Sequence, residues 1–326
     1  MLTQVALDLT SLPKAIEIAE ASVEAGIHIL EVGTPLIKAE GSRAIERLAE
    51  EFPERPIVAD TKTMDVGALE AELSIKHGAN LGCVLGAAPE ETIRSFVTRA
   101  HELCAGALVD TIGVNPVNVL SKLEGLEELP DYLLLHAAID EPITGEELLH
   151  KFGVDRCPAR TAVAGSLTPR KIEELDGVDL VIVGGYITSS EDPSKAAEAV
   201  VEAASVEPYD FRPDEDQREA LLGIRKHSTV GLVVKDPERV SEVLNAAIQL
   251  VEWVRNEPSL RTVGDDDSDL VPKFEDDGRD LTLVLGAEEF DREDLESIVK
   301  ESVKTILVAE EHVLKLYGVA EAIYEI

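Results

Sequence analysis

Three charged side chains at the spacing Asp-x-Lys-x-x-Asp close a short apolar run in Pro56-Ile57-Val58-Ala59-Asp60-Thr61-Lys62-Thr63-Met64-Asp65. A buried strand that runs into a charged cluster just ahead of a helical stretch is where a parallel α/β barrel keeps its chemistry. Other polar residues close similar runs. Asp8 follows Val5-Ala6-Leu7, Glu31 precedes Gly33-Thr34-Pro35, and Asp110 follows Leu108-Val109. His136 follows Leu133-Leu134-Leu135, with Asp140 beyond it, and Gly165-Ser166 and Gly184-Gly185 end two more runs. Taken singly, each has a plain structural explanation. Asp65 would cap a helix, Glu31 would be a paired carboxylate, His136 a satisfied core histidine, and the glycines turn formers. Their position at the same end of consecutive runs is what points to a site.

The residue types then limit the chemistry. Glu31 and Asp60, on neighbouring strands, suit one hard cation, and Mg²⁺ accepts carboxylate and water oxygens while leaving room for substrate. No His/Cys spacing suggests zinc. A dication chelated by a ketose hydroxyl and carbonyl would stabilise an enediolate, with the fixed charge of Lys62 beside the oxyanion. His136 or Asp8 would move the proton. A Schiff base on Lys62 ranks lower, because carboxylates on both sides keep the amine protonated. The glycines after the seventh and eighth runs suit a phosphate held by loop amides and a helix N-terminus.

These residues need a frame, and the pattern supplies one. The apolar runs are Gln4–Leu7, His28–Val32, Ile57–Ala59, Leu81–Leu85, Ala107–Val109, Tyr132–Leu135, Thr161–Ala164 and Leu180–Val183. They alternate with helical periodicity over Leu12–Ala25, Ala39–Glu50, Val66–His77, Pro89–Glu102, Thr168–Leu175 and Asp192–Ala204. Weaker helices fall around Val117–Leu123 and Gly145–Lys151. Runs that are apolar throughout belong to parallel strands buried on both faces. Eight such units predict a (β/α)₈ TIM barrel over residues 1–206, ahead of a doubly wound sheet. Residues 207–218 are acidic and contain prolines, which predicts a linker. Residues 219–326 predict a small α/β or α+β C-terminal domain without a catalytic cluster. In it, Thr229–Val234 and Leu281–Leu285 read as strands, and Pro237–Val254 and Phe290–Tyr317, the latter with a break near Lys304, as helices.

Composition excludes several classes. The chain has 326 residues, 65 acidic against 30 basic, and a net charge of −35. That charge opposes binding to nucleic acid or to an anionic membrane. With 44% hydrophobic residues the chain is not of the disordered type. Acid spread along the whole chain reads as adaptation to a salty, halophilic cytoplasm. Cys83, Cys104 and Cys157 lack metal spacing and fit a reducing compartment, and Cys83 reads as core. A chain that opens directly on a strand pattern, with no apolar run near the length of a membrane span, is expected to be cytoplasmic.

Three stretches carry a family resemblance: Val5-Ala6-Leu7-Asp8, Glu31-Val32-Gly33-Thr34-Pro35-Leu36-Ile37-Lys38, and Ala59-Asp60-Thr61-Lys62-Thr63-Met64-Asp65. With Val84-Leu85-Gly86 and Val183-Gly184-Gly185-Tyr186-Ile187-Thr188, they resemble the 3-hexulose-6-phosphate synthases of the orotidine 5′-monophosphate decarboxylase suprafamily, over residues 2–204. The resemblance implies Mg²⁺ on Glu31 and Asp60, sugar contacts from Asp8 and Lys62, and His136 as the acid/base. It implies phosphate and substrate contacts at Gly165, Ser166, Gly184, Gly185 and Asp140. It also implies a homodimer in which Asp65 reaches the partner's site. The implied reaction is reversible aldol addition of formaldehyde to D-ribulose 5-phosphate. Alternatives are decarboxylation of a β-keto sugar acid phosphate or of orotidine 5′-phosphate, and a weakly active barrel with a binding role. The decarboxylases tend to carry Gly-Arg where this chain has Gly184-Gly185. Two departures stand out: His136-Ala137-Ala138-Ile139-Asp140 in place of a His-x-Gly-x-Asp pattern, and Ser166 in place of a second glycine.

Overall fold

Short apolar runs flanked by turn residues become parallel strands only if both faces are covered, and among the described residues a helix follows seven of the eight barrel strands. The structure is a computed structural model that describes residues 1–137, 157–264, 274, 280–309 and 318–326. It divides into two units, residues 1–51 with 55–210, and residues 52–54 with 211–326.

In the first unit, strands β1 (Leu2–Leu7), β2 (Ile29–Val32), β3 (Ile57–Thr63), β4 (Leu81–Leu85), β5 (Gly106–Asp110), β6 (Tyr132–His136), β7 (Arg160–Ala164) and β8 (Leu180–Val183) pair in chain order. They form a closed, all-parallel barrel, sealed by Leu2 to Val5 of β1 against Leu180 to Val183 of β8. The expected TIM barrel is therefore the fold. Helices α1 (Leu12–Glu24), α2 (Thr34–Glu40), α3 (Arg43–Glu51), α4 (Gly67–Lys76), α5 (Glu90–Glu102) and α6 (Pro116–Leu123) follow the strands. After β7 come α7 (Pro169–Glu173), the single turn α8 (Gly185–Thr188) and α9 (Pro193–Ala203). The expected helix Ala39–Glu50 is instead two, because Gly41, at φ +70°, turns the chain between α2 and α3. Residues 145–151, expected as a helix, lie outside the described residues.

The β3–β4 register shifts between Ala59 and Thr63. Such an irregularity re-aims side chains near an active site. Here it accompanies Lys62 in the left-handed region, at φ +46°.

The second unit holds a five-stranded sheet of β9 (Thr229–Val233), β10 (Leu260–Val263), β11 (Leu281–Val284), β12 (Lys304–Ala309) and β13 (Ala322–Glu325). Their order is β10-β11-β12-β9-β13 and every pairing is parallel, so the unit is α/β. Helices α10 (Glu215–Lys226), α11 (Pro237–Glu252) and α12 (Arg292–Lys300) accompany it. α10 begins inside the expected linker, because Asp214 and Gln217 form a capping box there. The helix expected over Phe290–Tyr317, with a break near Lys304, ends at Lys300, and the chain from Lys304, with Thr305-Ile306-Leu307-Val308, forms β12 in place of a second helical stretch. That run is mostly β-branched and is buried against Val233, Val284 and Leu295.

Candidate active site

Side chains alternate along a strand, so every second residue faces the barrel axis. On β1 these are Gln4 and Ala6, with Asp8 beyond; on β2 Glu31; on β3 Val58, Asp60 and Lys62. β4 contributes Cys83, β5 Leu108, and β6 Leu134 and His136. With Gly165, Ser166, Gly184 and Gly185 they line a cavity of about 800 Å³ at the C-terminal ends of the strands. Asp8, Glu31, Asp60, Lys62, His136 and the four loop residues are thus brought together. Asp140 lies outside the described residues.

Asp65 is not in this cavity. Its carboxylate is exposed and accepts the Val66 amide at 2.8 Å. Around it Met64, Val66, Leu69 and Leu73 are each about half exposed or more, an apolar strip on the β3–α4 loop and the outer face of α4.

Lys62 is the hub. Its Nζ donates to Asp60 Oδ1 and Oδ2 at 3.0 and 2.8 Å and to Asp110 Oδ2 at 3.1 Å. Burial pulls the Lys62 ammonium toward neutrality, but the charges of Asp60 and of its neighbours outweigh it and raise its pKa. Lys62 is therefore a fixed cation and a poor amine nucleophile. Asp110 is fully buried and hydrogen-bonds His136 Nδ1 at 2.9 Å and the Ile112 amide at 2.8 Å. Burial opposes its charge, yet the hydrogen bond and charge of His136, with Lys62, hold the carboxyl below its usual range.

On the other side the carboxylates lack such compensation. Burial, then the charges of Asp60 and Asp8, push Glu31 well above the usual range. Asp8 is raised by burial and by Asp60. Gln4 Nε2 donates to Glu31 and Thr34 Oγ1 to Asp60 Oδ2 at 2.7 Å. Two glycines are required by space: a Cβ on Gly33 would sit 2.3 Å from Asp8 Oδ1, and one on Gly165, at φ +116°, 2.3 Å from the Ala137 carbonyl. A Cβ on Gly185 meets nothing within 4 Å, which leaves open space there.

The sequence alone marks Asp110 as a strand end and Cys83 as core. Gln4 and Thr34 were not singled out. The alternation along each strand was the signal that could have found them, since it turns Gln4 and Cys83 toward the axis.

The family model for the orotidine 5′-phosphate decarboxylase / HUMPS family matches residues 1–200. The chain belongs to that family. Among curated relatives, a 3-hexulose-6-phosphate synthase from Bacillus subtilis (strain 168) is 36% identical over 203 residues, spanning 60% of this chain and 94% of its own length. Among solved structures, a 3-hexulose-6-phosphate synthase from Salmonella typhimurium superposes with a TM-score of 0.58 at 33% identity, over 62% of this chain and 98% of the other. KGPDC from Streptococcus mutans gives 0.56 at 27% identity, over 62% and 95%. This kinship makes the barrel unit an enzyme of the lyase type. Among the described residues no helix is long and apolar enough to cross a membrane.

Proposed function

We propose that the barrel catalyses reversible aldol addition of formaldehyde to D-ribulose 5-phosphate, giving D-arabino-hex-3-ulose 6-phosphate. The observation that carries this reading is the chain of contacts from Asp60 through Lys62 and Asp110 to His136, facing Glu31 and Asp8 across one cavity. The synthases among its relatives support it.

The donor set fits a hard dication. Glu31, Asp60 and Asp8 crowd oxygen ligands and surplus negative charge on the side away from Asp110, and the raised Glu31 carboxyl records that surplus. Glu31 and Asp60 would hold Mg²⁺, which would supply positive charge beside the substrate oxygens. With Nδ1 donating to Asp110, His136 keeps Nε2 as its basic nitrogen. His136 takes the C1 proton of ribulose 5-phosphate. C1 then attacks the carbon of formaldehyde, a C–C bond forms, and the same proton passes from His136 to the new hydroxymethyl oxygen. Lys62 places its ammonium beside the developing negative charge, and Asp8 orients sugar hydroxyls. Gly165, Ser166, Gly184 and Gly185 bind the phosphate through backbone amides, with Asp140 on the substrate side.

Asp65 completes the site of a second copy. It is exposed, outside its own cavity, and embedded in the apolar strip of Met64, Val66, Leu69 and Leu73. An apolar strip of that kind on a soluble barrel marks a protein contact. The protein is on this reading a homodimer of the cytoplasm with shared sites.

A coupled assay with ribulose 5-phosphate, formaldehyde and Mg²⁺ in high salt tests the reaction. Lys62→Ala and Asp60→Ala should each lower kcat by about 10³-fold. Activity retained in both sinks the reading. Release of CO₂ from a β-keto sugar acid phosphate, without formaldehyde turnover, would transfer it to the decarboxylase alternative that the 27%-identical KGPDC favours.

A further inference from the structure

The mechanism above leaves one buried group of the cavity unused. Cys83 on β4 is 2% exposed, lines the cavity, and its thiol takes part in no hydrogen bond among the described residues. It lies between Asp60 on β3 and Asp110 on β5. One ligand atom from each of the three falls within 4.8 Å of the other two, and all three side chains are buried. That spacing can close around a tetrahedral cation, whose bonds to sulfur and oxygen are about 2.3 and 2.0–2.2 Å.

Asp60 therefore belongs to two donor sets of different hardness. With Glu31 it offers oxygen alone. With Cys83 and Asp110 it offers sulfur and oxygen, a mixture that hard Mg²⁺ disfavours and a thiophilic dication prefers. In the structure the position between Asp60 and Asp110 is taken by the Lys62 ammonium, which bonds both carboxylates. We propose that Asp60, Cys83 and Asp110 form a second cation site, specific for a thiophilic dication such as Zn²⁺ or Cd²⁺, which enters by displacing Lys62.

The exchange conserves local charge. Before it, two carboxylates meet one ammonium and a neutral thiol. After it, two carboxylates and one thiolate meet one dication, the thiol proton has gone to solvent, and Lys62 has swung into the cavity still protonated. The three side chains leave a fourth coordination position for water. Binding itself does not depend on the proposed reaction. Its consequence does: with Lys62 and Asp60 diverted, aldol turnover stops, and a chelator restores it.

Cd²⁺ titration of the Mg²⁺-free full-length protein, followed by the ultraviolet cadmium–thiolate charge-transfer band, tests the site without any substrate. One Cd²⁺ per chain should give the band. Cys83→Ser should abolish it, whereas the double variant Cys104→Ser/Cys157→Ser should keep it. Lys62→Met removes the competing ammonium and should tighten Cd²⁺ binding at least tenfold, and Asp110→Asn should weaken it by a similar factor. A band that survives Cys83→Ser, that follows Cys104 or Cys157, or whose affinity is indifferent to Lys62→Met overturns the proposal. Circular dichroism of each variant separates loss of the site from loss of the fold. Absence of aldol turnover in the wild type would count against the proposed function and leave the Cd²⁺ result to stand on its own.

Discussion

The two units are built from the same grammar, parallel strands with helices between, and they treat the C-terminal ends of their strands in opposite ways. In the second unit the helices described after strands are closed by their own side chains. Asp236 accepts the Glu238 amide at the start of α11, and Asp291 accepts the Asp294 amide at the start of α12. In the barrel, the described helices have no side-chain cap, except α6, where Asn115 accepts the Val117 amide, and α9, where Asp192 accepts the Lys195 amide. Free helix amides and uncompensated carboxylates at one end are what a ligand can satisfy. The buried charges differ in the same sense. In the second unit Arg255 and Asp280 pair at 3.2 Å at the N-terminal end of β11, the end that does not build sites in parallel sheets. The barrel also buries Arg55 and Asp131 at N-terminal strand ends, but its facing carboxylates Glu31, Asp60 and Asp110 lie toward the C-terminal ends, and Glu31 forms no ion pair among the described residues. A parallel sheet becomes a site where the sequence leaves its strand ends unfinished.

The strongest way to break this contrast is Asp110→Asn. The substitution keeps shape while removing the charge that holds both Lys62 and His136, so Asp110 acts as a positioning residue. We expect kcat to fall by about 10²- to 10³-fold, the scale of general acid–base catalysis, with folding retained. A variant with full turnover would show that the contact chain does not carry the reaction.

Arg255→Met asks the same question of the second unit. It takes away the cation that pairs with buried Asp280, which costs about 3 kcal/mol. Denaturant unfolding followed at Trp253, the single tryptophan, should shift accordingly, while the proposed aldol turnover, measured below the transition, stays at the wild-type level. Loss of turnover in parallel with stability would end the separation of roles.

How far the sequence foretold this contrast differs between the units. The barrel strands were legible to within one or two residues, except β3, which runs on to Thr63, because each is a run too apolar to be anything but buried and each is punctuated by a polar turn. The second unit was harder. Leu260–Val263 is short and includes Arg261 and Thr262, and Lys304–Ala309 follows so closely on a helical pattern that periodicity marks a break near Lys304 but not the strand that begins there. Within the site, Asp8, Glu31, Asp60, Lys62 and His136 were visible because each is polar at an apolar strand's end. Asp110 had the same position, but its importance is a matter of two partners from other strands, which no local pattern contains. Cys83 was hidden by being apolar enough to pass for core.

A pH prediction sharpens the comparison at the opposite end of the barrel. His28 is 3% exposed, hydrogen-bonded through Nδ1 to Thr3 and Nε2 to the Glu207 carbonyl. Burial, with the Arg55 charge nearby, lowers its pKa from 6.5 to about 4. The folded state therefore binds fewer protons than the unfolded state between those values. The stability that the neutral ring contributes is complete above pH 6.5 and is lost as pH falls toward 4, a loss of about 3 kcal/mol. In His28→Gln the pH slope of unfolding over that window should flatten relative to wild type. Equal slopes would mean that His28 titrates normally in the fold.

The smallest effects test the caps. Asp291→Ala should cost the second unit about 1 kcal/mol, as loss of an N-cap does. The matching position in the barrel is Val66, ahead of α4, and it shows the reverse arrangement. Val66 has φ +49°, a left-handed conformation that β-branched residues avoid, and it is 54% exposed in the apolar strip beside Asp65. Strain and exposure together at one residue fit the proposed subunit contact. Asn tolerates that backbone, so Val66→Asn should stabilise the monomer by about 1 kcal/mol while weakening self-association, measured by sedimentation at dilute protein. If the variant were less stable and associated as before, the strip around Asp65 would have no part in joining two barrels, and the cap contrast would reduce to local backbone geometry.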